Sequence, residues 1–107
     1  MCVSGGIGGN AGKGPAYTEP SLPPHEIVKE NGVIIDQNYR SNDHGPAHLH
    51  VQGRGPDTRI GEMGHPLAGD PELSRVQRAV VDRNIAVIKR AVRKIGRWLR
   101  YQQDIDE

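Results

Sequence analysis

An α+β fold, in which a small antiparallel sheet of three to four strands is covered on one face by one kinked or two C-terminal helices, is what this 107-residue sequence predicts. The prediction rests on three features of the chain. Two strand-like runs flank Asn31-Gly32, an alternating histidine-rich run leads into Gly53-Arg54-Gly55-Pro56, and apolar residues recur at helical spacing from Leu73 onward.

Glu26-Ile27-Val28-Lys29-Glu30 and the run from Val33 to Arg40 lie on either side of Asn31-Gly32. That dipeptide accepts positive φ and favours a two-residue turn, so a hairpin is expected there. Ser41-Asn42-Asp43 reads as a turn leading through Gly45-Pro46 into a strand. In that strand Ala47, Leu49 and Val51 point to one face, and His48 and His50 to the other. If the next loop pairs Gln52 with Asp57, antiparallel register sets His50 opposite Arg59, Leu49 opposite Ile60 and His48 opposite Gly61. A slip of one residue would instead push Ile60 among the histidines.

The cover comes from the C-terminal third. Asp70 suits an N-cap, Pro71 the first helical position and Glu72 the positive end of the helix dipole, which places a helix start there. Val81, Ile85, Ile88, Val92, Ile95 and Leu99 occupy an arc of roughly 80°, opposite Arg83, Arg90, Arg93, Lys94 and Arg97. Leu73, Val76 and Val80 form a second stripe displaced by about 100°, so a break is expected around Asp82 to Asn84, between helices of about ten and seventeen residues. Between sheet and helices, Gly61 to Gly69 reads as an exposed loop carrying His65.

The chain has no phenylalanine and one tryptophan, so its core must be small and aliphatic. Residues 1-24 are rich in glycine and proline and read as a flexible leader, residues 25-103 as one folded domain, and 104-107 as an acidic tail that frays. Cys2 is the only cysteine, which excludes an intrachain disulfide and a cysteine-based zinc site. No run reaches the length of a membrane span, and the opening lacks the order of a signal peptide. The net charge of +1 hides an asymmetry, since the stretch from Leu73 to Tyr101 carries nine basic residues against Asp82 alone. A separated basic block of this kind suits a polyanion or an acidic protein partner.

His44, His48 and His50 fall within seven residues. Histidine titrates near neutrality, so the cluster suits proton transfer or metal ligation. Metal-free RNA cleavage needs a base for the 2′-OH, an acid for the leaving 5′ oxygen and a cation for the charged phosphorane. His48 and His50 fit the first two roles, Arg59 or Arg40 the third, and His44 adds a polar group from the turn. Arg54, Arg90, Arg93, Lys94 and Arg97 complete the expected contacts to substrate. No resident cofactor is expected on this reading. The alternative is a divalent metal held by His48, His50 and His44, with Asp43 or Glu62 completing the sphere, in a metal-dependent nuclease or other hydrolase. A third reading is a binding module that is not an enzyme. The near absence of aromatic residues on the strands speaks against base stacking on the sheet. A zinc deaminase is disfavoured because no Cys-x-x-Cys accompanies a His-x-Glu.

The run Tyr39-Arg40-Ser41-Asn42-Asp43-His44-Gly45-Pro46-Ala47-His48-Leu49-His50-Val51 resembles a family of small bacterial proteins of unknown function, marked by an aspartate-histidine pair, one or more prolines and His-x-His-Val. The stretch from Asn38 to Tyr101, with Thr58-Arg59-Ile60-Gly61 and Leu67-Ala68-Gly69-Asp70-Pro71-Glu72-Leu73, looks like the variable C-terminal tips of Rhs-type polymorphic toxins. That resemblance implies a toxin domain secreted as part of a larger effector, without its own signal peptide and acting in the cytoplasm of a target cell. It also implies a cognate immunity protein, for which the basic helix predicts an acidic contact surface. The tips include nucleases, ADP-ribosyltransferases and deaminases, so the activity rests on the histidines. A ribonuclease acting as a monomer, without membrane insertion, is the resulting expectation.

Overall fold

The computed structural model describes residues 20–40, 43 and 45–106, with backbone alone for the last two. The stretch expected to be a flexible leader lies outside the described residues up to residue 19. Leu22 packs on the core and Pro23 is buried, so packing begins a few residues before His25. Four strands, β1 (Glu26–Glu30), β2 (Val33–Asp36), β3 (Leu49–Gln52) and β4 (Thr58–Ile60), form an antiparallel sheet in sequence order, followed by helices α1 (Arg75–Arg83) and α2 (Ile85–Asp106). The fold is α+β, as the sequence predicts.

The first hairpin turns at Asn31 and Gly32, both with positive φ, and pairs Glu30 with Val33. Strand β2 ends at Asp36, earlier than the run to Arg40 suggests. There Gln37 turns inward, donating from its side chain to the Pro23 carbonyl at 2.9 Å and accepting from the Tyr39 N–H. Between β3 and β4, Leu49 faces Ile60, His50 faces Arg59 and Val51 faces Thr58, in the predicted register. The connecting loop starts at Gly53, where any Cβ would run into the Gly32 carbonyl.

Inward residues Val33, Ile35, Leu49, Val51 and Ile60 have no exposure, and they meet Val80, Val81, Ile88 and Ile95 of the helices. Each such side chain is worth about 1.5–3 kcal/mol of burial, so these few aliphatic residues supply most of what an aromatic-poor chain has. Alternation then turns Ile34, Gln52, Asp36, His50 and Arg59 toward the face away from the helices.

The helix start differs from expectation. Helix α1 is capped by Ser74, not Asp70: the Ser74 hydroxyl accepts from the Gln77 N–H at 3.1 Å and the Gln77 side chain accepts from the Ser74 N–H at 3.0 Å, a reciprocal capping box. Asp70 is drawn away by Arg59, which takes both of its carboxylate oxygens. The helices break at Asn84, as the shifted stripe requires. Asn84 donates from its side chain to the Val80 carbonyl and to Glu30, and its own carbonyl accepts from Ile88 as α2 begins. Arg83 pairs with the same Glu30, tying β1 to the break. Helix α2 continues into the acidic tail as far as Asp106.

The loop from Gly61 to Gly69 is docked rather than free. Gly64 is buried, Arg78 donates to its carbonyl at 2.6 Å, and a side chain at this positive-φ position would meet Val81 and Ile85. Pro66 bridges to Ile60 and Leu67 donates to the Arg59 carbonyl, so the segment covers the edge of β4.

Gln77 is the buried polar group that joins the layers. With no exposure, it donates to the carbonyls of Gly53 and Pro56 at 3.1 and 2.9 Å, fixing the β3–β4 loop on α1. Gln77→Ala leaves the partly buried Gly53 and Pro56 carbonyl bonds without their donor and removes half the capping box, and is expected to cost about 2 kcal/mol. Urea unfolding checks this: the midpoint should fall with an unchanged slope.

Candidate functional site

His48 lies just before β3, and its ring is held on one side by the turn that leads into it. The Tyr39 hydroxyl is 2.7 Å from His48 Nδ1 and 2.9 Å from the Pro46 carbonyl, and Nδ1 is 2.8 Å from that same carbonyl. The hydroxyl oxygen also accepts from the His48 N–H at 3.2 Å. Two mobile protons serve this triangle. All groups are satisfied when both the phenol and Nδ1–H donate to the two lone pairs of the Pro46 carbonyl. That tautomer makes Nε2 the unprotonated nitrogen of the neutral ring and leaves it available to a ligand.

Burial pushes the pKa of His48 down, and the charges of His50 and Arg59 push the same way, against the Pro46 hydrogen bond and Asp70. Burial also raises the Tyr39 phenol to about 12, so it stays protonated. The Tyr39 ring lies tilted against His48 at 5.2 Å and meets the buried Trp98 edge-on at 6.3 Å, which ties the imidazole to α2. His50 stands edge-on to His48 with ring centres 5.0 Å apart. Asn38, Tyr39, Asp43, His48 and His50 line one depression of about 230 Å³.

Arg59 faces His50 across the strands, and Asp70 holds it there. The carboxylate accepts from Arg59 Nε at 3.0 Å, from its terminal nitrogen at 2.8 Å and from its backbone N–H at 2.7 Å. These bonds lower the Asp70 pKa to about 2. A two-point pair fixes one edge of the planar guanidinium and leaves the other edge for an anion. Arg59 is 44% exposed at its side chain, consistent with such an open edge.

The other predicted residues divide. Arg40 is exposed beside the depression, its N–H bonded to Asp43 at 2.7 Å. Arg54 lies at the far end of β3 with its guanidinium on the Asn31 carbonyl, so it is not brought together with the histidines. Arg90 and Lys94 line a groove of about 220 Å³ with Pro23, Pro24 and Ile27, whereas Arg93 and Arg97 line a cleft of about 580 Å³ beside Ala47, with Glu62 on Arg93. His44 lies outside the described residues, and His65 is exposed in its loop. Among the described residues no three histidine, cysteine or acidic side chains converge as a metal site. Tyr39 and Asp70 are the partners that sequence reasoning did not assign to the site.

No family model, no curated protein and no solved structure matches this chain. Among the described residues no helix is long and apolar enough to cross a membrane.

Because the folded state resists protonating His48, the unfolded chain binds that proton first as pH falls through about 6.5. Stability therefore rises with pH between the lowered folded value and about 6.5, and His48→Gln is expected to remove that part of the slope. Asp70 acts lower, contributing above 3.8 and losing its contribution as pH falls toward about 2. Urea midpoints measured from pH 2 to 8, with NMR titration of the His48 ring, check both; a His48 midpoint above the ordinary histidine value would contradict the burial argument.

Proposed function

We propose that this chain is a toxin-like domain that cleaves phosphodiesters, with RNA as substrate, using His48, His50 and Arg59. The observation that carries the reading is the pinned His48: a half-buried imidazole with Nδ1 occupied, Nε2 available and charging disfavoured has the properties of a general base near neutral pH. Tyr39 is then a positioning residue, and Asp70 does for Arg59 what Tyr39 does for His48.

In this mechanism His48 Nε2 takes the proton of the 2′-OH, and the 2′ oxygen attacks phosphorus. The open edge of Arg59 stabilises the charged phosphorane, and protonated His50 delivers its proton to the departing 5′ oxygen. The products are a 2′,3′-cyclic phosphate and a 5′-hydroxyl, and the transferred protons leave each imidazole in the other's starting state. Catalysis by acid and base groups of this kind contributes about 10²–10⁴-fold each. The likeness to polymorphic toxin tips supports a setting in which a larger effector delivers the domain and an acidic immunity protein covers it.

Purified protein incubated with total RNA and with plasmid DNA, in EDTA and with added divalent metal, tests the reading. RNA cleavage that survives EDTA and falls by at least about 10²-fold in His48→Ala/His50→Ala is expected. Cleavage only with metal transfers the same histidines to the role of ligands. No cleavage of either polymer overturns the nuclease reading and leaves a transferase or a binding module.

A further inference from the structure

The basic residues of α2 do not form one even surface. Arg93, Arg97 and Arg100 follow at spacings of four and three, so they share a stripe spanning about 10 Å of helix. Together with Ala47 and Glu62 they line a cleft of about 580 Å³. Arg90 and Lys94 belong to a neighbouring stripe over an apolar groove formed with Pro23, Ile27 and Ala91. The two stripes therefore face different surroundings.

Three guanidinium groups share the larger cleft with one carboxylate. Glu62 is 3.3 Å from Arg93, while Arg97 and Arg100 form no ion pair among the described residues. Like charges held together in this way lower their repulsion by taking up an anion. Gly96 lies beside Ala47 in this cleft, where a Cβ would sit in ordinary van der Waals contact, 3.9 Å from Ala47 and 3.7 Å from Arg100. Ala47 is the residue before His48, so one point of the chain, just before β3, borders both the cleft and the histidine depression.

We propose that this cleft is a second phosphate subsite, in which Arg97 and Arg100, with Arg93, hold a phosphate next to the scissile one in single-stranded RNA. The proposal rests on the ribonuclease reading and adds to it the requirement for a chain longer than one phosphodiester. Glu62 limits the affinity by neutralising part of the cleft. Arg100 is a new contact, and Arg90 and Lys94 lie outside the path.

Fluorescence anisotropy with a labelled ten-nucleotide single-stranded RNA tests this in a His48→Ala/His50→Ala background, where cleavage does not interfere. His50→Gln is the background if the double variant unfolds. Arg97→Ala/Arg100→Ala should weaken binding about ten-fold or more. It should also flatten the dependence of log Kd on log salt by about 0.7 for each phosphate the protein no longer neutralises. Glu62→Gln should tighten binding, and Arg90→Ala/Lys94→Ala should have a much smaller effect. Equal weakening by both double substitutions would mean diffuse attraction and overturn the subsite. Cleavage by the wild-type protein with binding indifferent to Arg97 and Arg100 overturns the cleft alone. The expected binding pattern without wild-type cleavage overturns the ribonuclease reading while supporting the cleft as an RNA site. No RNA binding at all overturns both.

Discussion

Leu49 and Val51 have no exposure, and that burial constrains most of what surrounds them. Once both point at the helices, the period-two geometry of a strand leaves His48, His50 and Gln52 no choice but the other face. Register does the rest. Ile60 must join the buried side opposite Leu49, which carries Arg59 to the side of His50. A histidine pair and a guanidinium are thus assembled by hydrophobic residues that take no part in their chemistry. Gln77 reinforces the arrangement from the far end, holding the carbonyls of the connecting loop so that the two strands keep their alignment.

This dependence explains why much of the site was legible in the sequence. Periodicity is a local property, and the β3–β4 register follows from matching Leu49 with Ile60 across a short loop. The break near Asn84 was legible for the same reason, because two apolar stripes on one straight helix would face different directions. Asp70 misled because Asp-Pro-Glu has the composition of a helix start. Arg59, eleven residues earlier, competes for that carboxylate with two side-chain bonds and a backbone N–H. The Ser74-x-x-Gln77 spacing of a capping box was the signal for the true start. Nothing local reveals that Gln77 reaches the β3–β4 loop as well. Tyr39 opens the histidine motif, yet its contact with His48 exists only after the intervening turn brings residues nine apart together.

The two positioning pairs differ in how they are held. Asp70 restrains Arg59 by charge-assisted bonds near the surface, so the guanidinium keeps both its charge and an edge open to solvent. Tyr39 restrains His48 in a drier setting, where its ring contacts both the imidazole and the buried Trp98. One arrangement preserves a cation and the other disfavours one. An anion approaching this face would meet a fixed positive group beside a neutral acceptor.

Such a separation is chemically useful because phosphoryl chemistry asks for both at once. A charged His48 would attract phosphate but have no lone pair at Nε2 to take a proton, and a neutral Arg59 is out of reach at any physiological pH. Burial disfavours a charge on His48, and the hydrogen bonds at Nδ1 and at its backbone N–H compensate the polar groups that burial would otherwise strand. Because Tyr39 accepts from the His48 N–H and donates to the Pro46 carbonyl that holds Nδ1, while its ring contacts Trp98, the orientation of the proposed base depends on the packing of α2 as well as on the turn before β3. The core of this small protein therefore reaches the histidine face by two routes, through strand alternation at Leu49 and Val51 and through the aromatic contact at Trp98.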